Sequence, residues 1–242
     1  MTILREERIG GQRLLLGDCL AIMPGLGRFD ACLTDPPYEF DTEGAGIFRS
    51  NRANMDQIKA ARLDKGFDHT AFRRAQFAAC IFFCHNDQLA KLIPYLDSEF
   101  DRWAVCAWHK TNPMPVANKH YQPDTEFWVH AWTRQCPPSG DLADKGRYYF
   151  GPGGQDTSIP HPTVKPLRLM TKVVKNVSGS AILDPFMGSG TTLVACQKLG
   201  RAGTGIELDP DYFDIACRRV DEAARQPDLL IPETRPQPVQ ET

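Results

Sequence analysis

The run Asp184-Pro185-Phe186-Met187-Gly188-Ser189-Gly190-Thr191-Thr192 constrains this chain more than any other stretch. It follows the apolar Ala181-Ile182-Leu183 and opens a segment of helical character ending near Gly200, so it reads as a strand, a glycine turn and a helix. Gly188 and Gly190 permit a tight turn and let a ligand approach main-chain N–H groups, while Thr191 and Thr192 stand where the first helical turn begins. About twenty residues past the start of the turn, Glu207 closes the run Gly203-Thr204-Gly205-Ile206, where dinucleotide folds place an acid for ribose hydroxyls. A phosphate-binding P-loop needs Gly-Lys-Ser/Thr, but Gly190 is followed by Thr191, so a triphosphate is poorly served. The residues alone leave two readings: a packing turn, or the seat of a cofactor that has a ribose and no phosphates.

At 242 residues, 42% of them hydrophobic, the chain can bury a substantial core as one domain. A formal net charge of −2 speaks against a general polyanion binder, so any nucleic-acid contact must come from local basic patches. Such patches exist: residues 49–74 carry seven Lys/Arg against three acids, and residues 102–122 carry no acid at all. Residues 184–228 reverse the balance, with eight acids against five Lys/Arg. None of the eight cysteines are spaced Cys-x-x-Cys, and Cys32, Cys80, Cys84 and Cys106 sit in apolar runs where a reduced thiol behaves as a small hydrophobe. Cys80, Cys84 and His85 come nearest to a ligand set, yet alternate positions on a buried strand explain them better, and no metal is expected. With no apolar run after Met1 and none long enough to span a bilayer, the expectation is a soluble, cytoplasmic protein with no membrane partner.

Taken in order, Arg13-Leu14-Leu15-Leu16 predicts a strand ending in Gly17-Asp18-Cys19, followed by a short helix stopped by Pro24-Gly25. A second buried strand, Asp30-Ala31-Cys32-Leu33-Thr34, runs into Asp35-Pro36-Pro37-Tyr38. The two prolines end its pairing and leave an acid, a carbonyl and an aromatic at the carboxyl end of the strand. Residues 39–68 are polar and predict a mobile basic loop. A helix over 70–78, a strand over 79–84 and a helix over 86–96 with Asn86 and Asp87 as cap residues continue an α/β alternation. Strands over 102–108 and 126–132 predict an antiparallel hairpin joined by a proline-interrupted loop. Residues 135–158 are turn-rich, with little regular structure expected, and Pro166 suits the first turn of a helix over 167–176. Asp209 caps a helix begun by Pro210, with Phe213, Ala216, Cys217, Val220 and Ala224 at helical spacing. Residues 1–226 are thus expected to form a single domain and the proline-rich residues 227–242 a flexible tail.

A doubly wound sheet binds its ligand at the carboxyl ends of the strands flanking its switch point. If the strand before Asp184 is the first of such a sheet, Glu207 ends the second, and the strands ending in Asp18 and Asp35 supply the two that are missing. This circular permutation sets the Asp184 turn beside Asp35-Pro36-Pro37-Tyr38.

Those two motifs, together with His161-Pro162-Thr163-Val164-Lys165-Pro166, resemble the S-adenosylmethionine-dependent DNA amino-methyltransferases, and the order is similar to that family's β class. The resemblance covers roughly residues 14–220. It implies an α/β fold built on a doubly wound, mostly parallel seven-stranded Rossmann-like sheet, with S-adenosylmethionine as cofactor and double-stranded DNA as partner. Carried across by position, Phe186, Gly188 and Ser189 hold the methionine part of the cofactor, with Asp184 supporting the turn and Gly190 and Thr191 counted among the cofactor-binding residues. Glu207 takes the ribose hydroxyls, Asp18 the adenine amine, and Thr163 and Lys165 line the methionine side, although Lys165 equally suits a solvated helix-start lysine.

Asp35, Pro36, Pro37 and Tyr38 match the catalytic set. An exocyclic base amine is a weak nucleophile because its lone pair is delocalised into the ring. Asp35 and the Pro36 carbonyl can hold its two hydrogens, while Tyr38 stacks on a base rotated out of the duplex. The structural alternative for Asp35 is a turn or N-cap acid. Arg49, Arg52, Lys59 and Arg62 are expected on DNA phosphates, and Lys110 and Asn112 near the target base, although an ordinary hairpin loop also accounts for the last two. Residues 133–160 leave room for only a short target-recognition region. Aspartate at the head of the catalytic motif resembles the adenine-N6 enzymes, whereas cytosine-N4 enzymes of this class more often carry serine, so N6-methyladenine is the expected product and N4-methylcytosine the alternative. An RNA or protein-amide methyltransferase fits less well with this motif order, and a non-catalytic DNA-binding module less well with an intact Asp35 and glycine turn. A role in restriction-modification, and a homodimer, rest on the resemblance only.

Overall fold

The computed structural model describes residues 2–36, 68–113, 121–153 and 164–226. Pro37, Tyr38, Thr163, Arg49, Arg52, Lys59 and Arg62 lie outside them, as do residues 39–67 of the expected loop and the expected tail. The elements are β1 (Arg5–Ile9), β2 (Gln12–Leu16), α1 (Cys19–Ile22), β3 (Phe29–Thr34), β4 (Phe77–Cys84), α2 (Leu89–Glu99), β5 (Arg102–Lys110), β6 (Thr125–Trp132), β7 (Tyr148–Gly151), α3 (Leu167–Lys175), β8 (Ala181–Asp184), α4 (Thr191–Lys198), β9 (Ala202–Glu207) and α5 (Pro210–Arg225).

The strands make one nine-stranded sheet in the order β1-β2-β9-β8-β3-β4-β6-β5-β7. The run β2-β9-β8-β3-β4 is parallel, and β6 joins antiparallel to β4 and pairs with β5 as the expected hairpin. Parallel strands covered on both faces read as near-continuous apolar runs. The sequence Phe-Ala-Ala-Cys-Ile-Phe-Phe-Cys of β4 is such a run. Its alternate residues Cys80, Phe82 and Cys84 join Leu15, Cys32, Leu92 and Leu96 beneath α1 and α2. Ala79, Ile81 and Phe83 face the other way, toward Trp128 and the α3 residues Leu169, Met170 and Val173. A third cluster packs Leu14 and Met187 against Leu193 of α4 and Phe213, Ala216 and Val220 of α5. Full burial of Phe82 or Phe83 stabilises by about 1.5–3 kcal/mol each.

The permuted order is the expected one: β9 lies beside β2 and β8 beside β3, so strands from the two ends of the chain meet at the centre of the sheet. The strand count is nine rather than seven. The first extra strand is β1, which turns into β2 through Gly10, a residue with φ 58°, and Gly11. Two glycines between strands are hairpin chemistry, but β1 is an edge strand of sequence Arg-Glu-Glu-Arg-Ile with no apolar alternation to mark it. The second is β7, within a segment expected to be irregular. It pairs parallel with β5, and the buried Trp108 indole donates to the Gly151 carbonyl at 3.0 Å.

Three local expectations are corrected. The helix over 70–78 is a single 3₁₀ turn, His69–Ala71, capped by Asp68, because β3 pairs from Phe29 opposite Phe77 and draws residues 77 and 78 into β4. The cap after β4 is His85, not Asn86 or Asp87: its backbone N–H donates to the Gln88 side chain at 2.8 Å and its ring accepts from Asp87 N–H. On α5 the apolar stripe ends on buried Ala223, while Ala224 is exposed.

Candidate active site

Asp184 ends β8 with its side chain only 4% exposed, accepting from Phe186 N–H at 3.1 Å and bonded to the Thr192 hydroxyl. Burial pushes its carboxyl up to about 7 against the pull of those bonds. The turn that follows is pinned by Met187 N–H donating to Ile206 O at 2.9 Å and Gly190 N–H to Met187 O at 2.8 Å. Gly188 and Gly190 take φ values of 52° and 80°. Gly190 is required twice over, because a Cβ there would also lie 2.9 Å from the Ala216 Cβ on α5.

An arginine the sequence reading passed over braces this turn. Arg219 on α5 donates from Nη1 to the Ser189 hydroxyl at 2.8 Å, the Ser189 carbonyl at 2.5 Å and the Thr191 hydroxyl at 3.0 Å. Ser189 and Thr191 therefore point their hydroxyls toward α5, and a ligand at this turn meets main chain rather than these side chains. The signal was present: Arg219 stands three residues from Ala216 and one from Val220, on the buried side of α5.

Glu207 ends β9 beside the turn. Its Oε2 accepts Gly188 N–H at 2.8 Å, and its Oε1 accepts Leu208 N–H at 2.9 Å and Asp209 N–H at 2.8 Å. Burial raises its pKa despite these three donors. The Glu207 carbonyl accepts Gly17 N–H at 2.8 Å, which joins it to the next strand end, where Asp18 caps α1 by accepting Leu20 N–H at 2.9 Å. Asp18, Glu207 and Asp184 thus sit at the carboxyl ends of three neighbouring parallel strands.

Asp35 follows β3, whose Cys32 lies opposite Leu183 of β8, so Asp35 emerges next to the glycine turn. Its Oδ2 is 2.6 Å from the Lys165 ammonium, which is 8% exposed and lies 3.4 Å from Glu126 Oε2 at the start of β6. Lys110, at the end of β5, reaches Glu126 Oε1 at 2.5 Å. Phe83 and Trp108 wall this row, with Lys165 Nζ 5.3 Å and Lys110 Nζ 5.2 Å from their ring centroids. Burial works to lower the pKa of Lys165, but Asp35 and Glu126 outweigh it and raise it above the ordinary value. Glu126 is likewise opposed by burial, and Lys165 and Lys110 bring it below its ordinary value.

The structure therefore gathers Asp18, Asp35, Lys165, Asp184, Phe186, Gly188, Ser189, Gly190, Thr191 and Glu207 at one end of the sheet. Buried Pro36 follows Asp35 directly. Lys110 joins them through Glu126, while Asn112 accepts Gly153 N–H at 2.6 Å and ties the loop after β5 to the end of β7. Glu126 was missed, although an isolated acid heading an otherwise apolar strand is a visible signal. Among the described residues no three His, Cys, Asp or Glu side chains converge as metal ligands, and no helix is long and apolar enough to cross a membrane.

A family model described as DNA methylase matches residues 29–218. The Type II methyltransferase M.HinfI of Haemophilus influenzae is 25% identical over 272 residues, covering 92% of this chain and 73% of the relative. The Type II methyltransferase M2.MboI of Moraxella bovis is 25% identical over 236 residues, covering 85% and 86%. Among solved structures, the M1.HpyAVI–SAM complex superposes with a TM-score of 0.61 at 25% identity, covering 86% of this chain and 99% of that one. The cytosine-N4-specific PvuII DNA methyltransferase superposes with a TM-score of 0.64, covering 90% of each chain; at 13% identity it is similar in fold alone.

Proposed function

The chain belongs to the DNA methylase family of N6 and N4 amino-methyltransferases, and from that premise we propose that it transfers the methyl group of S-adenosylmethionine to N6 of adenine in double-stranded DNA. The observation that supports this reading is the adjacency of β3 and β8, which puts Asp35 beside the glycine turn. The donor set fits the cofactor. Asp18 and Glu207 repel a polyphosphate and suit hydroxyl and amino donors together with a cationic sulfonium. Glu207 takes the ribose hydroxyls, Asp18 the adenine amine, and the main chain from Phe186 to Gly190 the methionine part, with Thr163 beside it.

S-adenosylmethionine supplies an electrophilic methyl group when bound. Asp35 and the Pro36 carbonyl accept the two hydrogens of the target amine and favour a pyramidal nitrogen whose lone pair points outward. Tyr38 stacks on the rotated base. Catalysis on this account is positioning and electrostatics, with no covalent intermediate. The sheet is shared with a cytosine-N4-specific enzyme, so the choice of adenine rests on the aspartate at the head of the motif. Arg49, Arg52, Lys59 and Arg62 contact phosphates, and residues 133–160 with Asn112 read the target.

Transfer of tritiated methyl from S-adenosylmethionine to DNA, RNA and protein acceptors tests the reading. Label is expected in DNA alone. Asp35→Ala is expected to lower the rate at least a hundredfold, about 2.7 kcal/mol of transition-state stabilisation, with cofactor affinity nearly unchanged. A variant that keeps more than about a tenth of the wild-type rate shows that Asp35 does not hold the amine.

A further inference from the structure

The mechanism just described uses Asp35 but gives no task to Glu126, the most deeply placed acid of the charged row. Asp35, Lys165, Glu126 and Lys110 alternate in sign along one end of the sheet, at the carboxyl ends of β3 and β5 and the amino end of the antiparallel β6, with Lys165 reaching in from the segment before α3. Four formal charges cancel. Removing a carboxylate from such a row leaves a buried ammonium undercompensated, which costs far more than breaking an exposed pair. The Lys165 ammonium is held by both acids, and the Phe83 ring covers it.

This arrangement solves a positioning problem. Asp35 follows the end of β3 and precedes Pro36, and the 2.6 Å contact from Lys165 to Oδ2 restrains its carboxylate. Lys165 has a four-carbon stem and many rotamers, and needs an anchor of its own. Glu126 is that anchor, set in a paired strand with Thr125 opposite His109 and Glu126 opposite Trp108 of β5. Resting on the methyltransferase reading above, we propose that Glu126 is a positioning residue of the transfer site, which fixes the Lys165 ammonium against Asp35 so that the Asp35 carboxylate meets the target amine in one orientation. Among the described residues, the charged and titratable groups packed around Lys165 include Asp35 after β3, Cys84 at the end of β4, Glu126 on β6 and, through Glu126, Lys110 on β5, with Asp184 felt across Asp35 from β8. Cys84 is pushed up to about 12, by burial first and then by Asp35 and Glu126, and stays a neutral thiol.

Glu126→Gln keeps the shape of the side chain and removes its charge. Methyl transfer to DNA by the variant and by wild type, followed from about pH 6 to 11, is expected about tenfold or more lower in the variant at pH 8. Its alkaline fall is expected at lower pH than in wild type, whose Lys165 is held above its ordinary value, because the variant's Lys165 keeps only one of the two carboxylates that oppose its burial. Glu126→Asp, which restores the charge a methylene further back, is expected to recover part of the rate and most of the alkaline shift. A merely structural role would lower the rate without moving the pH profile. Should Glu126→Gln lose its circular-dichroism signal, Glu126→Asp carries the test: a reduced rate with a smaller shift in the same direction supports the proposal, and a wild-type rate and profile overturn it. Wild-type activity with an unmoved profile in Glu126→Gln overturns the role of Glu126 alone, whereas wild-type protein that labels no DNA overturns the methyltransferase reading beneath it.

Discussion

Asp184 illustrates how a single residue can carry both the fold and the site. Its carboxyl rises from 3.8 to about 7 because burial disfavours the charged form. A pKa raised in the folded state means that the folded protein binds more protons between roughly pH 4 and 7 than the unfolded chain does, so stability from this group is fully present below about pH 4 and is lost as pH rises through about 7. The whole effect is on the order of 4 kcal/mol. Asp184→Asn is expected to flatten this decline while keeping acceptors for Phe186 N–H and the Thr192 hydroxyl. Urea unfolding at pH 5 and pH 8 checks it; equal losses between the two pH values in wild type and variant would place the pH dependence elsewhere. At the residue scale the sequence announced Asp35, Asp184 and Glu207, since each ends a strand-like run, apolar for the first two and glycine-rich for Glu207, where a doubly wound sheet keeps its chemistry. It did not announce their partners. Lys165 meets Asp35 across 130 positions of sequence and Arg219 meets Ser189 across 30, and no local pattern encodes such distances.

At the scale of elements, legibility followed burial. The strands β3, β4, β8 and β9 and the helices α3, α4 and α5 were readable because full or half burial writes an apolar run or stripe into them. The strands β1 and β7 were not, since an edge strand pairs through main chain and has one neighbour to satisfy. Residues 70–78 have helical character in isolation, but the register between β3 and β4 takes the last of them into the sheet, a tertiary contact overriding local preference. The glycine turn was legible as a turn, while the reason for its second glycine is the approach of α5. Gly190→Ala is expected to destabilise by about 1–3 kcal/mol, from a strained positive φ and the contact with Ala216. Adding Ala216→Gly should restore part of that loss, the share due to crowding, and leave the share due to φ. Thermal unfolding of the single and double variants measures the split, and no recovery would mean that α5 yields freely at Ala216.

Across the whole molecule, the permuted connectivity brings the two ends of the sequence to the middle of one sheet: β2 and β3, near the N-terminus, flank β9 and β8, near its end. Acids gather where a cationic cofactor is expected, and a neutral row of four charges stands where the amine is expected. Residues 49–74, whose Lys/Arg outnumber their acids seven to three, are separated from Tyr38 by ten residues in sequence, so a chain of net charge −2 still carries the cationic segment proposed for DNA. The adenine assignment is the claim on which the rest converges. Incubating the protein with unmethylated genomic DNA and S-adenosylmethionine, digesting the DNA to nucleosides and separating them by mass spectrometry tests it directly. The account predicts N6-methyladenine as the new nucleoside; N4-methylcytosine without N6-methyladenine would contradict it.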